Sequence, residues 1–176
     1  YLDQIIGLSH ALDLPITDID SALLATHRAL LDCQDGAEDC MMLADIDHET
    51  LSILIFQKEV ILMTRTIAHS APFLAIACAR HDQLVLSSFD YDRLAQLVAE
   101  DLAASLRYYA SLPDALPVRS IRLLGRFEEM DTLCREIGGR LDIPVALPKL
   151  YPSLNGEFDT LHDGTCISLA LRGLKG

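Results

Sequence analysis

The chain has 176 residues, of which 51% are hydrophobic and 23% are charged. This length is typical of one domain, the apolar content excludes a disordered chain, and no apolar run approaches the ~20 residues of a membrane-spanning helix. Asp and Glu outnumber Lys and Arg by 26 to 14, a formal net charge of −12, whereas proteins that bind nucleic acid normally carry a basic stripe, so nucleic acid is not an expected partner.

Two helices are predicted before the first strand. The first covers Leu2–Leu12 and ends before Pro15, and the second begins with Thr17 or Asp18 as its N-cap. Three β-rich runs follow: Met41–Asp45, Leu51–Phe56 and Val60–Ile67. The links between these runs are too short for a parallel crossover, so the three strands are predicted to form an antiparallel meander.

The second half of the chain is predicted to alternate between helices and strands. The segment from His69 to Ser88 is predicted to be a small hairpin insertion, and Asp90 is the predicted N-cap of the long helix that follows. The later predicted elements are a strand at Ser120–Leu124, a helix from Phe127 ended by a left-handed C-cap at Gly138–Gly139, a strand at Ile143–Leu147 and a helix at Cys166–Leu174.

This order of elements predicts the fold class. An antiparallel meander followed by β-α-β crossovers gives an α/β fold with a mixed five-stranded sheet and helices on both faces. The order is that of the ribonuclease-H-like or actin-like core. We therefore expect residues 1–176 to form a single actin-like domain with a small insertion at 69–88.

Acidic residues cluster where the first strand ends and where the long helix begins. Carboxylates at strand ends can hold Mg²⁺, so a metal-dependent nuclease using Asp45, Asp47 and Asp90 is one hypothesis. The simpler interpretation is that the acids of the turn are solvated and that Asp90 caps the helix, because a chain this acidic forms such clusters easily. No GxSxG nucleophile elbow is present, which argues against a serine hydrolase.

The segment Leu123–Arg126 joins a predicted strand to a predicted helix. Nucleotides often bind at such helix N-termini, and Gly125 would allow a close approach of the backbone. An ordinary strand-to-helix turn explains the same residues, since neither a Walker A motif nor GxGxxG is present.

Eight segments occur in an order and at spacings that match a known family. They are Ile19–Ala25, Met42–Ile46, Thr50–Ile53, Leu62–Ile67, Leu102–Tyr109, Ile121–Gly125, Leu141–Val145 and Ser168–Leu174. Together they resemble the second half of PilM-like actin-like proteins of type IV pilus assembly, including relatives that serve mannose-sensitive-haemagglutinin (MSHA) pili. The L-type cytoplasmic domain of type II secretion is similar as well.

The resemblance implies a cytoplasmic scaffold at the inner membrane of a bacterium. It implies docking on the short cytoplasmic peptide of an N-type inner-membrane pilus protein, and leaves self-association open. Five cysteines without CxxC spacing also favour a reducing compartment. Members of the family bind ATP and Mg²⁺ in a cleft between two actin-like halves, which implies an ATP-binding or ATP-hydrolysing protein as the alternative function.

The resemblance also assigns the candidate site residues. Asp45, Asp47 and Thr50 correspond to the second phosphate turn, with Asp45 also on the metal, and Gly125 and Arg126 correspond to the adenosine position. The family's turn reads Asp-Ile-Gly, whereas this chain has Asp at the glycine position, where a carboxylate repels phosphate. The family's adenosine glycine pair is also reduced to one glycine, so we expect a scaffold with no catalytic residues.

Overall fold

The computed structural model describes residues 2–14, 16, 20–33, 39–47, 50–68, 88–125 and 129–150. The helices in these ranges are α1 (Leu2–Ala11), α2 (Ala22–Asp32), α3 (Ser88–Ala110) and α4 (Met130–Leu141). The strands are β1 (Cys40–Ile46), β2 (Thr50–Gln57), β3 (Val60–Ala68), β4 (Ser120–Gly125) and β5 (Val145–Ala146).

The five strands form one mixed sheet in the order β3-β2-β1-β4-β5. β1, β2 and β3 pair antiparallel, with Met41 opposite Phe56, and β4 lies parallel to both β1 and β5. The predicted meander and the predicted five-stranded mixed sheet are therefore confirmed.

Helices cover both faces of the sheet because the buried residues of the central strand β1 alternate between two cores. The larger core lies between the sheet and helices α3 and α4, and it includes Met42, Ala44 and Ile46. The smaller core lies under α2 and includes Met41 and Leu43. The predicted α/β architecture with helices on both faces is confirmed.

Helix α2 begins later than predicted. Its N-cap is Ser21, whose backbone is extended at φ −85° and ψ 135°, so neither Thr17 nor Asp18 caps the helix. The Asp20 carboxylate accepts a hydrogen bond from the Ser21 amide and pairs with Arg28 in the second turn of the helix. These contacts hold Asp20 just outside the helix. The helix start was predicted from the spacing of apolar residues, and that spacing does not indicate contacts between polar side chains.

Two other predicted helix ends were wrong. Asp90 is the third residue of α3 and not its N-cap. Helix α4 continues through Gly138 and Gly139 and ends at Asp142, which adopts the left-handed conformation at φ 54°. After this turn the chain runs close to α4, since a Cβ at Gly138 would lie 3.4 Å from the Ile143 carbonyl oxygen and 3.6 Å from the Val145 side chain. Strand β5 is only two residues long.

Two predictions fall outside the described residues. They are the hairpin that would precede α3 and the final helix at Cys166–Leu174. The assignment of residues 1–176 to a single domain also stays a prediction. Within the described ranges, no helix combines the length and apolar content needed to cross a membrane.

Candidate functional site

The chain leaves the neighbouring parallel strands β1 and β4 in opposite directions. After β1 it turns into β2 on one side, and after β4 it passes through α4 to β5 on the other side. In open α/β sheets, ligands bind in the crevice that such a divergence creates at the carboxyl ends of the strands. We call this position the switch point and define it by Asp45, Ile46, Asp47, Thr50 and Gly125.

Four of the five predicted site residues meet at the switch point. The amide of Asp47 donates a hydrogen bond of 2.9 Å to the carbonyl of Thr50, which closes the turn between β1 and β2. Gly125, the last residue of β4, is the parallel partner of Ile46 and so lies beside this turn. The fifth predicted residue, Arg126, lies outside the described residues.

The two acids of the switch point differ in exposure. Asp45 is half-buried and lies opposite Ser52, whereas Asp47 is exposed. Residues two positions apart in a strand lie on one face, so Asp45 shares with Met41 and Leu43 the face of the sheet that α2 covers. The predicted assignment of Asp45 as a metal ligand stays a prediction.

The predicted three-carboxylate nuclease site is not assembled by the described residues. Asp45 lies on the α2 face of the sheet, whereas α3, which contains Asp90, packs on the opposite face. In the part of the chain that the structure describes, no group of three or more His, Cys, Asp or Glu side chains is arranged to hold a metal ion.

Two described features of the switch point disfavour the phosphates of ATP. A phosphate turn offers backbone amides to the anion. Here the Asp47 amide is engaged by Thr50, and the exposed Asp47 carboxylate adds negative charge at the same place. Carboxylate oxygens suit Mg²⁺, but two acids beside a phosphate need a compensating cation.

Tyr91 is a residue that the sequence analysis did not single out. It is buried at the start of α3, and its hydroxyl accepts a hydrogen bond of 3.1 Å from the amide of Glu129, just before α4. Tyr91 thereby ties the N-terminus of α4, which follows Gly125 in the chain, to α3. Its place one turn before Leu94 on the apolar stripe predicts burial, but nothing in the sequence indicates the partner of its hydroxyl.

No protein-family model matches this chain, and no curated protein sequence matches it. Among solved structures it is similar to the "PilM-PilN type IV pilus biogenesis complex", with a TM-score of 0.62 and 18% identity over 96% of this chain and 57% of that chain. It is also similar to the ethanolamine utilization protein EutJ from Carboxydothermus hydrogenoformans, with a TM-score of 0.48 and 16% identity over 69% and 48% of the two chains. A third similar structure is the Ppx/GppA phosphatase of Aquifex aeolicus, with a TM-score of 0.36 and 11% identity over 61% and 34%.

The first of these similarities establishes the fold. At 18% identity it shows a shared architecture and no shared activity. The actin-like fold predicted from the sequence, of the PilM type, is confirmed by it. The chain spans little more than half of the PilM–PilN complex chain that it matches, 57% of its length.

Proposed function

We propose that this chain is an actin-like scaffold module of a type IV pilus assembly platform, acting at the cytoplasmic face of the inner membrane. The similarity to the fold in the PilM–PilN complex extends over 96% of the chain and supports this kind of assembly. The observation that favours a scaffold over an ATPase is Asp47, whose carboxylate is exposed and whose amide is engaged by Thr50.

The proposed partner is a membrane-anchored pilus protein of the N type, bound through its short cytoplasmic peptide. Cytoplasmic segments next to membrane-spanning helices are rich in Lys and Arg. A chain with a net charge of −12 complements such a peptide and steers it to the complex. The finer form of the proposal is an MSHA-type pilus, with type II secretion as the other system to test.

Peptide binding tests this proposal directly. Labelled cytoplasmic peptides of N-type partners from type IV, MSHA-type and type II secretion systems are titrated with the chain, and fluorescence anisotropy is measured. One of them should bind with a Kd of roughly micromolar or below, and binding should weaken as salt rises. A scrambled peptide of the same composition is the control. Equal binding of native and scrambled peptides, or binding of none, contradicts the scaffold proposal.

A second candidate function is ATP binding, because Asp45, Asp47, Thr50 and Gly125 meet at one point. The change to test is Asp47→Gly. The melting temperature of the unchanged chain should be the same with and without millimolar Mg-ATP. The free energy of unfolding of Asp47→Gly should rise by about 2.7 kcal/mol when Mg-ATP is present at 100 times the Kd of this variant. This increase in stability corresponds to a rise in melting temperature of a few degrees for a domain of this size.

The matched control is Asp39→Gly, which removes one exposed carboxylate at the opposite end of β1. Asp39→Gly should show no shift in Mg-ATP. If Asp47→Gly also shows none, the turn is not a degenerate phosphate loop. A shift in the unchanged chain favours the ATP-binding function over the pure scaffold.

A further inference from the structure

The described sheet ends on one side in a long strand. The strand order places β3 at one edge and β5 at the other. β3 has nine residues, whereas β5 has two. An edge strand carries a row of backbone N–H and C=O groups that can pair with a further strand. Of the two edges of the described sheet, β3 is therefore the one that is long enough to accept such a strand.

The second part of β3, Met63–Ala68, is regular and accessible. It pairs in register with β2, and the register shift of this pair lies nearer the β2–β3 turn. Thr64 and Thr66 are exposed, and threonine is one of the residues that favour strands. β3 contains no proline, a residue that often protects an edge against pairing. This stretch is about as long as an average strand.

Arg65 is the charged residue of β3, and it has an unusual partner. One N–H of its guanidinium donates a hydrogen bond of 3.2 Å to the hydroxyl of Ser105 on α3. Ser105 is fully buried, and its hydroxyl donates to the carbonyl of Asp101. Among the described residues, no carboxylate pairs with the Arg65 guanidinium, although the chain has 26 acidic and 14 basic residues.

The position of Arg65 suits the recognition of a carboxylate. A guanidinium has several N–H donors in a fixed plane and can bind a carboxylate through two parallel hydrogen bonds. The bond to Ser105 uses one donor and fixes the side chain beside the edge, while Arg65 stays exposed. Side chains directly opposite one another on neighbouring strands are in contact distance. An added strand with an acidic residue opposite Arg65 would therefore supply the missing anion.

A second copy of this chain does not supply that anion. β3 contains neither Asp nor Glu, so pairing two copies of β3 leaves both Arg65 side chains without a carboxylate. Two chains that each carry a net charge of −12 also repel one another. A peptide rich in Lys and Arg, as proposed for the pilus partner, does not suit Arg65 either.

We propose that the β3 edge binds an extended peptide of another protein as an added strand, with an Asp or Glu of that peptide paired to Arg65. Main-chain hydrogen bonds supply the affinity in this mode of binding, and side-chain contacts supply the selectivity. One short added strand buries a small area, so we expect a transient complex with a Kd of roughly micromolar. The proposal goes beyond the pilus function and does not depend on it.

Selection from a phage library of random peptides of about eight residues tests the proposal. The selected peptides should share an acidic residue, and fluorescence anisotropy should give a Kd of roughly micromolar. Arg65→Glu should weaken their binding at least about tenfold, and a Lys in place of the acidic residue should recover most of that loss. The matched control is Arg107→Glu, which makes the same charge change at an exposed arginine of α3 and should leave the Kd within about twofold. Selection of no peptide, or of peptides that bind Arg65→Glu equally well, overturns the proposal.

A second variant, Arg65→Gln, separates the charge from the contact with Ser105. Glutamine can still donate to the Ser105 hydroxyl, but it carries no positive charge. Binding of the acidic peptide should again weaken about tenfold, while circular dichroism and the melting temperature should match those of the unchanged chain. Full affinity in Arg65→Gln would show that the cation does not recognise the peptide.

Backbone methylation of a selected peptide tests whether it binds as a strand. Successive N–H groups of a strand point to opposite sides, so only alternate amides of the peptide can pair with β3. Methylation of one alternate set should weaken binding at least about tenfold, whereas methylation of the other set should have little effect. An equal effect of the two sets overturns strand addition.

Discussion

A single side chain, His27, connects helix α2 to the β2–β3 turn. Its Nε2–H donates a hydrogen bond of 2.9 Å to the carbonyl of Lys58, and its ring meets Phe56 edge-on with centroids 4.3 Å apart. Burial is the main cause that lowers the pKa of His27; the Lys58 carbonyl and Glu59 act in the opposite direction, and Arg28 adds to the lowering. The imidazole is therefore neutral in the folded chain near neutral pH.

This lowered pKa predicts the direction of one pH dependence. In the unfolded chain His27 takes up a proton near its ordinary pKa of 6.5, whereas the folded chain resists protonation until a lower pH. The contribution of His27 to the free energy of unfolding is therefore complete above pH 6.5 and is lost as the pH falls below it. Urea unfolding at pH 7.5, 6.5 and 5.5 measures this loss.

The variant His27→Gln isolates the effect from the other titrating groups. Glutamine can still donate to the Lys58 carbonyl, but it loses the ring contact with Phe56, so we expect a cost of about 1 kcal/mol at pH 7.5. Its stability should then decline less between pH 7.5 and 5.5 than that of the unchanged chain. Parallel curves for the two proteins would show that His27 is not the group responsible.

At the scale of one element, the end of α4 contains two glycines with different surroundings. A Cβ at Gly139 would meet no atom within 4 Å, whereas a Cβ at Gly138 would lie 3.4 Å from the Ile143 carbonyl oxygen and 3.6 Å from the Val145 side chain. Both residues are helical, where alanine is favoured over glycine by about 0.5–1 kcal/mol. Gly139→Ala should therefore stabilise the chain by about that amount, and Gly138→Ala should gain less.

The two variants serve as controls for each other, because they are adjacent in one helix and add the same methyl group. Their free energies of unfolding in urea give the comparison. An equal gain from both would show that the approach of Ile143 and Val145 does not restrict the helix. A loss from Gly139→Ala would show that α4 does not extend past it.

The same helix shows which parts of an element the sequence predicts. The spacing of Met130, Leu133, Cys134 and Ile137 predicts the helix and its buried face, and both are correct. The two glycines predict a C-cap that does not occur, since Asp142 adopts the left-handed conformation instead. The spacing of apolar residues indicates which side of a helix faces a core. The position of the helix end depends on contacts with a later segment of the chain, and the spacing does not indicate those contacts.

At the scale of the whole molecule, the candidate site follows from topology. Asp45 and Gly125 are distant in sequence and meet because β1 and β4 are parallel neighbours. The resemblance to PilM-like proteins placed both residues in one site, which the order of elements alone did not. The order does not indicate that the Asp47 amide is engaged by Thr50, or that Tyr91 anchors the start of α4. These contacts depend on backbone geometry inside turns, for which this sequence has no distinctive pattern.

The single-domain prediction has its own test, because β1 contributes to two cores on opposite faces of one sheet. Leu43 is fully buried under α2 and Leu94 is fully buried on α3. If the two faces unfold together, the chain has a single unfolding transition. Leu43→Ala and Leu94→Ala should then each lower the free energy of unfolding of that transition by about 2–5 kcal/mol. Leu116→Ala, at an exposed leucine, is the control and should change little.

Two spectroscopic signals separate cooperative unfolding from independent unfolding of the two faces. The chain has no Trp. Among the described residues the buried tyrosines are Tyr91 and Tyr109, and both belong to the larger core, between the sheet and helices α3 and α4. Near-ultraviolet circular dichroism of the tyrosines therefore follows that face, whereas the far-ultraviolet signal follows all helices. In Leu43→Ala both signals should move together, because β1 transmits the loss from the α2 face to the α3 face. A far-ultraviolet transition that moves while the tyrosine transition stays in place would mean that the two faces are separate folding units.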